Sequence, residues 1–84
     1  MTPQEIEKKV VDILSKKFGT EPSKISPETR LAEDLGVDSF GAVELMFELE
    51  EAFNLKIADS DIEHIKCVKD IVDYLVNWTA KKSE

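Results

Sequence analysis

Cysteine, histidine, tryptophan and tyrosine occur once each in this 84-residue chain, and glycine and proline three times each. One cysteine, Cys67, excludes an internal disulfide framework and any multi-cysteine metal site. One imidazole, His64, leaves a nucleophilic serine or thiol a single candidate base with no evident orienting partner. His64 is expected on the surface of a short helix, and Cys67 as a small buried hydrophobe. Three scattered glycines make no phosphate-cradling loop. Asp59, Asp61 and Glu63 approach the spacing of a calcium loop, but its glycine and distant glutamate are missing, so no metal site is expected. No apolar run nears the roughly 18 residues of a membrane span, and no charged-then-apolar leader opens the sequence. The expectation is a cytoplasmic protein without a catalytic constellation of its own.

Basic residues are scarce where acidic ones crowd. Residues 28–63 hold 11 acidic and two basic side chains, a net of −9, while each flank sums to +1. Clustered Lys and Arg, needed for nucleic acid or anionic membrane, are therefore absent from the most charged segment. Such segregation favours partner proteins with basic surfaces. Acidity that served solubility alone would not predict it.

A chain this short forms one domain and buries only about two-thirds of its unfolded surface, too little to enclose a deep cleft. Thr2-Pro3-Gln4-Glu5 has the capping box and early proline of a helix start. Ile6, Val10, Ile13 and Leu14 continue as an amphipathic stripe up to Gly19, predicting a first helix over about residues 3–18. Residues 19–37 carry two prolines and two glycines and read as a long connection, with Ile25, Leu31 and Leu35 as apolar pins and a helical turn possible near Pro22–Ile25. Asp38 reads as the N-cap of a second long helix reaching about Phe53. Leu55-Lys56-Ile57-Ala58 alternates like an extended connector. Ser60-Asp61-Ile62-Glu63 reads as a capping box opening a short helix with Ile62 and Ile65 inward. Val68, Ile71, Val72 and Leu75 predict a last helix at about residues 68–79, and Lys81–Glu84 a polar tail. Residues 1–2 and about 80–84 are expected to fray. The fold class is all-α: a small four-helix bundle of three main helices and one short one, with a long loop between the first two main helices.

The second long helix is more apolar than one buried face requires. At about 100° per residue, Leu45, Met46, Leu49, Ala42, Ala52 and Phe53 fill a core-facing arc. Phe40, Val43 and Phe47 lie beyond it, flanked by Glu44, Glu48 and Glu51. Either this helix is central and touches neighbours on most sides, or the three form an exposed apolar strip edged by acids, suited to docking a basic partner. Gly41, beside Ser39, leaves space in the first turn, although a glycine near a helix end is also simply tolerated.

Ser39 after a capping Asp38 is, by itself, an ordinary helix-start residue. Its setting is more specific. Leu35-Gly36-Val37-Asp38-Ser39-Phe40, followed by Val43-Glu44-Leu45 and Leu49-Glu50-Glu51-Ala52-Phe53, resembles the acyl carrier proteins, and the similarity runs from about Ile6 to Leu75. The resemblance implies a single carrier-type domain over residues 1–84 that is not an enzyme. It implies 4′-phosphopantetheine, derived from coenzyme A, joined through a phosphodiester to Ser39, with Asp38 as the motif's cap. The arm's thiol would carry acyl intermediates as thioesters for fatty-acid or specialised lipid and polyketide synthesis. The implied partners are a phosphopantetheinyl transferase and acyl-processing enzymes with basic docking surfaces, meeting a monomeric carrier through Phe40, Val43, Glu44, Phe47, Glu50 and Glu51. Met46, Leu49, Ile57, Ile62 and Ile65 face inward by periodicity and are the candidate lining of an acyl cavity.

Some positions depart from the commonest family pattern: Phe40 replaces a leucine, Gly41 follows it, Ala58 stands where many fatty-acid carriers have proline, and Trp78 is unusually large. Asp-Ser-Phe-Gly-x-Val-Glu-Leu also resembles D-alanyl carrier proteins, which use the same arm for an amino acid. The acidic Leu-Gly-Val-Asp-Ser setting leans towards acyl cargo. An unmodified acidic interaction module is the alternative from another class, and a hydrolase or transferase using Ser39 or Cys67 has little support from a chain with one histidine.

Overall fold

Apolar residues spaced three and four apart supply most of the core. The computed structural model describes residues 2–82, with side chains through Thr79. Three long helices, α1 (Pro3–Phe18), α3 (Ser39–Phe53) and α5 (Val68–Lys82), are joined by two short ones, α2 (Leu31–Leu35) and α4 (Asp59–Ile62). Helix α1 packs against both α3 and α5. Ile6, Val10 and Leu14 of α1 meet Leu45, Met46 and Leu49 of α3 and Val68, Ile71 and Leu75 of α5 in one apolar cluster. The all-α expectation with three main helices holds.

Local signals account for the ends of the long helices. Thr2 and Glu5 complete a reciprocal capping box at α1. Helix α3 stops at Asn54, whose backbone is left-handed, a conformation asparagine tolerates. Lys9 reaches across from α1, donating to the Ala52 carbonyl at 3.1 Å while its ammonium lies 5.1 Å from the centre of the Phe53 ring. A cation at a helix C-terminus is favourable. Helix α5 continues to Lys82, past the expected end at residue 79. Of the termini expected to fray, Met1, Ser83 and Glu84 lie outside the described residues.

The connection after α1 is more structured than a loop. A 3₁₀ turn spans Pro22–Lys24 and buries the following Ile25. The stretch expected to be irregular then forms α2, which ends at Gly36 in the left-handed conformation that glycine accepts without strain. Leu31 and Val37 are buried and Leu35 is half-buried.

This connection also caps the last helix. The Val68 N–H donates to the Thr29 carbonyl at 3.0 Å and the Lys69 N–H to the Pro27 carbonyl at 2.9 Å. The Leu31 N–H donates to the Lys66 carbonyl at 3.0 Å, and Arg30 and Cys67 form an isolated antiparallel bridge. Asp70 completes the cap, accepting from the Lys66 N–H at 3.0 Å and the Cys67 N–H at 3.3 Å. Groups orphaned at the start of a helix thus find partners in α5 itself and in a segment some forty residues earlier.

The short helix α4 differs from its expected start. Ala58 precedes it, Asp61 and Ile62 donate to the Ala58 carbonyl, and Ser60 lies inside the helix instead of capping it. The first turn carries Asp59 and Asp61, where a negative charge is favourable. Ile65 and His64 fall in the turn beyond it; Ile62 and Ile65 are half-buried, and His64 is exposed. The Tyr74 hydroxyl donates to the Asp61 carboxylate at 2.9 Å, joining α4 to α5. Burial, and then this carboxylate, push the tyrosine above its ordinary pKa.

Glu50 requires a correction. It is half-buried, and its Oε2 accepts from the Ile57 N–H at 2.7 Å, so it anchors the connector after α3 rather than offering a free docking charge. Removing that carboxylate leaves the N–H without its partner, so Glu50→Ala is expected to lose about 1–2 kcal/mol in urea unfolding. Exposed Glu51→Ala should stay within about 0.5 kcal/mol. Equal effects of the two substitutions would contradict the anchoring role.

Asp70 generates a pH prediction. The bonded Lys66 N–H holds its carboxyl below the ordinary aspartate pKa, against the opposing effect of burial. A depressed folded pKa means the stabilisation is complete above the unfolded value, near 4, and fades as pH falls through the folded value. Asp70→Ala should therefore cost about 1 kcal/mol at neutral pH, with the gap to wild type narrowing below about pH 4. Urea titrations across that range measure it.

Candidate functional site

The start of α3 divides two tasks between adjacent residues. Asp38 provides the cap, its Oδ1 accepting from the Gly41 N–H at 2.6 Å. A short acidic side chain is among the best for this position. Ser39, at the first helical position, is exposed, and its hydroxyl is engaged in no hydrogen bond among the described residues. A reactive partner can reach that oxygen without breaking the cap.

Gly41 serves this arrangement from beneath. A Cβ there would sit 3.1 Å from the Asp38 carboxylate oxygen, 3.6 Å from Val37 and 3.8 Å from Phe18. Its missing side chain therefore lets the Asp38 carboxylate close in on the first turn. It does not open a path for a molecule approaching Ser39.

Ser39 borders an open groove of about 440 Å³ between α2, the start of α3 and the turn before α5. Leu31, Val37, Ala42 and Ile65 give it an apolar lining, Arg30 and Lys66 bring positive charge, and Glu33 and Asp38 bring negative charge. Arg30 is already engaged by Glu33 and Asp34. The same Asp34 carboxylate accepts from the Arg30 N–H at 2.8 Å, which holds its pKa below the ordinary value.

The exposed face of α3 decides between the two accounts of this helix. Phe40, Val43 and Phe47 are 74%, 44% and 62% exposed, so the apolar strip faces solvent. Glu44, Glu48 and Glu51 are exposed beside it. Lys17 approaches Glu48 at 3.8 Å, whereas Glu44 and Glu51 form no ion pair among the described residues. Strip and acids are thus presented together, and Glu50 lies outside the set.

The five inward candidates divide by depth. Met46, Leu49 and Ile57 are buried in the core, while Ile62 and Ile65 pack half-buried against it. Ile65 is the one among them that also lines the groove at Ser39. Cys67, expected to be buried, is half-buried. Lys66, Ala42, Val37 and Leu31 were not expected at the site. Spacing carries no signal for Lys66, because a tertiary hydrogen bond brings its segment to α2. Among the described residues, no helix is long and apolar enough to cross a membrane.

This geometry suits a covalently attached polar arm: a free, exposed hydroxyl beside an open groove that combines apolar lining with charged side chains of both signs. Residues 8–75 match the family model described as the phosphopantetheine attachment site. The acyl carrier protein of Syntrophobacter fumaroxidans is 49% identical over 67 residues, covering 80% of this chain and 83% of that one. That of Chlorobium phaeobacteroides is 43% identical over 76 residues, covering 90% and 97%. The solved structure of the acyl carrier protein from Enterococcus faecalis, noted for high thermal stability, superposes with a TM-score of 0.79 at 36% identity over 92% of this chain and 98% of that one. The chain belongs to the acyl carrier proteins of the phosphopantetheine-attachment family, carriers rather than enzymes, whose domain bears a covalently attached 4′-phosphopantetheine.

Proposed function

We propose that Ser39 is the residue to which the arm is attached and that the exposed face of α3 presents it to partner enzymes. The observation that carries this reading is the free Ser39 hydroxyl at a helix start whose cap is supplied by its neighbour. When attached, the arm supplies a thiol that holds an acyl group as a thioester. The chain's own work is to position and to recognise. Asp38 fixes the first turn, and the groove beside Ser39 offers the root of the arm a partly apolar resting place. Phe40, Val43 and Phe47 provide contact area, while Glu44 and Glu51 steer a phosphopantetheinyl transferase or acyl-processing enzyme with a basic surface towards the monomeric carrier.

Cargo is sheltered, in this reading, by Met46, Leu49, Ile57, Ile62 and Ile65. The half-buried Ile65 links the groove at Ser39 to the core, which supports the assignment. Burying an alkyl chain is favourable by about 0.8 kcal/mol per methylene. An octanoyl-loaded protein should therefore melt above its unloaded form and show NMR shifts at these five residues. Unchanged melting and unchanged shifts would remove the cavity from the proposal.

Attachment is tested by intact mass after incubation with coenzyme A and a broad-specificity transferase. Wild type should gain one phosphopantetheine and Ser39→Ala none; a folded wild type that gains nothing refutes the assignment. Docking has its own test. Glu44→Lys combined with Glu51→Lys should slow modification by about tenfold or more at low salt, and the wild-type rate should fall as salt rises. Salt-independent rates and no effect of the charge reversals would exclude electrostatic docking.

A further inference from the structure

The groove beside Ser39 contains a cation whose role the fold leaves unassigned. Arg30 and Lys66 both line it, together with the acids Glu33 and Asp38. Three of these four charges have partners: Arg30 is paired with Glu33 and Asp34, and Asp38 accepts from Gly41. Lys66 forms no ion pair among the described residues, and its side chain is exposed. Its backbone, by contrast, is fixed on both sides. The N–H donates to Asp70 at 3.0 Å and the carbonyl accepts from Leu31 at 3.0 Å, so a flexible stem rises from a rigid base on the groove wall.

We infer that Lys66 is the intramolecular partner of the phosphodiester at Ser39 and holds the root of the arm in the groove between α2 and α3. The inference rests on Ser39 being the attachment residue. Its physical basis is charge complementarity. Modification adds a negative charge to a segment, residues 28–63, that already carries a net of −9. Asp38 adjoins the modified residue, and Glu33 lines the same groove. Lys66 is the unpaired cation there able to offset the new charge. Lysine, a compact point charge on four methylenes, binds phosphate without the fixed two-point geometry of arginine. A solvent-exposed contact of this kind is readily screened and exchanged. A basic partner docking on α3 can therefore take the phosphodiester from Lys66 and release the arm from the groove.

The test compares apo and phosphopantetheine-loaded protein for wild type, Lys66→Gln and Lys66→Arg, with loading verified by intact mass. In loaded wild type the ³¹P resonance should be displaced from its position in the same protein unfolded in urea. Amide shifts should change between apo and loaded protein at Ala32, Ile65 and Lys66. Raising salt to about 0.5 M should reduce the ³¹P displacement. Lys66→Gln should cut that displacement and the amide changes at Ala32 and Ile65 by roughly half or more, while Lys66→Arg retains them. Loaded Lys66→Gln with wild-type displacement and amide changes would overturn the inference. If Lys66→Gln does not fold by circular dichroism, the wild-type salt titration decides, and a salt-independent displacement overturns it. A folded wild type that gains no mass removes the Ser39 assignment and this contact with it, whereas normal loading with unaltered spectra removes the contact alone.

Discussion

The backbone hydrogen bonds exchanged between residues 27–31 and 66–69 are the constraint on which the working end of the molecule depends. Pro27 and Thr29 satisfy the first-turn N–H groups of α5, while Lys66 accepts from the first residue of α2. Unpaired groups at these helix starts would carry the cost of buried or poorly solvated donors, so the two segments are held together by mutual need. Their union brings Ile65 and Lys66 to the same groove that Ser39, α2 and the start of α3 line. A long connection that would otherwise be an entropic burden becomes the second side of a groove.

Carboxylates reaching back along the chain recur throughout this construction. Glu5 accepts from Thr2, Asp34 from Arg30, and Asp70 from Lys66 and Cys67. Each places an acid at a helix N-terminus, where the macrodipole and the free N–H groups favour it. Much of the acidity is thereby absorbed into structure. Glu50 is absorbed in another way, as the acceptor for Ile57 at the far end of α3. Among the acids without such work are Glu44 and Glu51, which lie beside the exposed strip of Phe40, Val43 and Phe47. Net charge alone does not separate these two populations; hydrogen-bond geometry does.

The long helices were legible because each repeats an apolar spacing over three or four turns, and α1 and α3 also open on a local cap. Thr2, Asp38 and the buried positions of α1, α3 and α5 all follow from neighbours in sequence. Helix α2 was not legible, since five residues give too few repeats to distinguish a helix from a pinned loop. Ser60 misled for a related reason: a residue suited to capping was displaced when the helix began earlier, at Asp59. Glu50 and Lys66 lay beyond local reading altogether. The role of Glu50 depends on the chain folding back seven residues later, and the place of Lys66 on a contact with α2 far away in sequence. At the start of α3, the Asp38 cap was readable from sequence and the groove beside it was not.

The adjacency of the cap and the proposed attachment residue has a physical rationale. A serine commonly caps a helix with its own hydroxyl, but a hydroxyl committed to that bond could not be esterified without weakening the helix start. Assigning the cap to Asp38 removes the conflict. Gly41 completes the solution, because its amide is the donor that Asp38 receives and a Cβ there would crowd the same carboxylate at 3.1 Å. Ser39 is therefore displayed by a turn whose stability does not depend on its hydroxyl. An arm joined at Ser39, as proposed, would leave the cap and the exposed face of α3 intact.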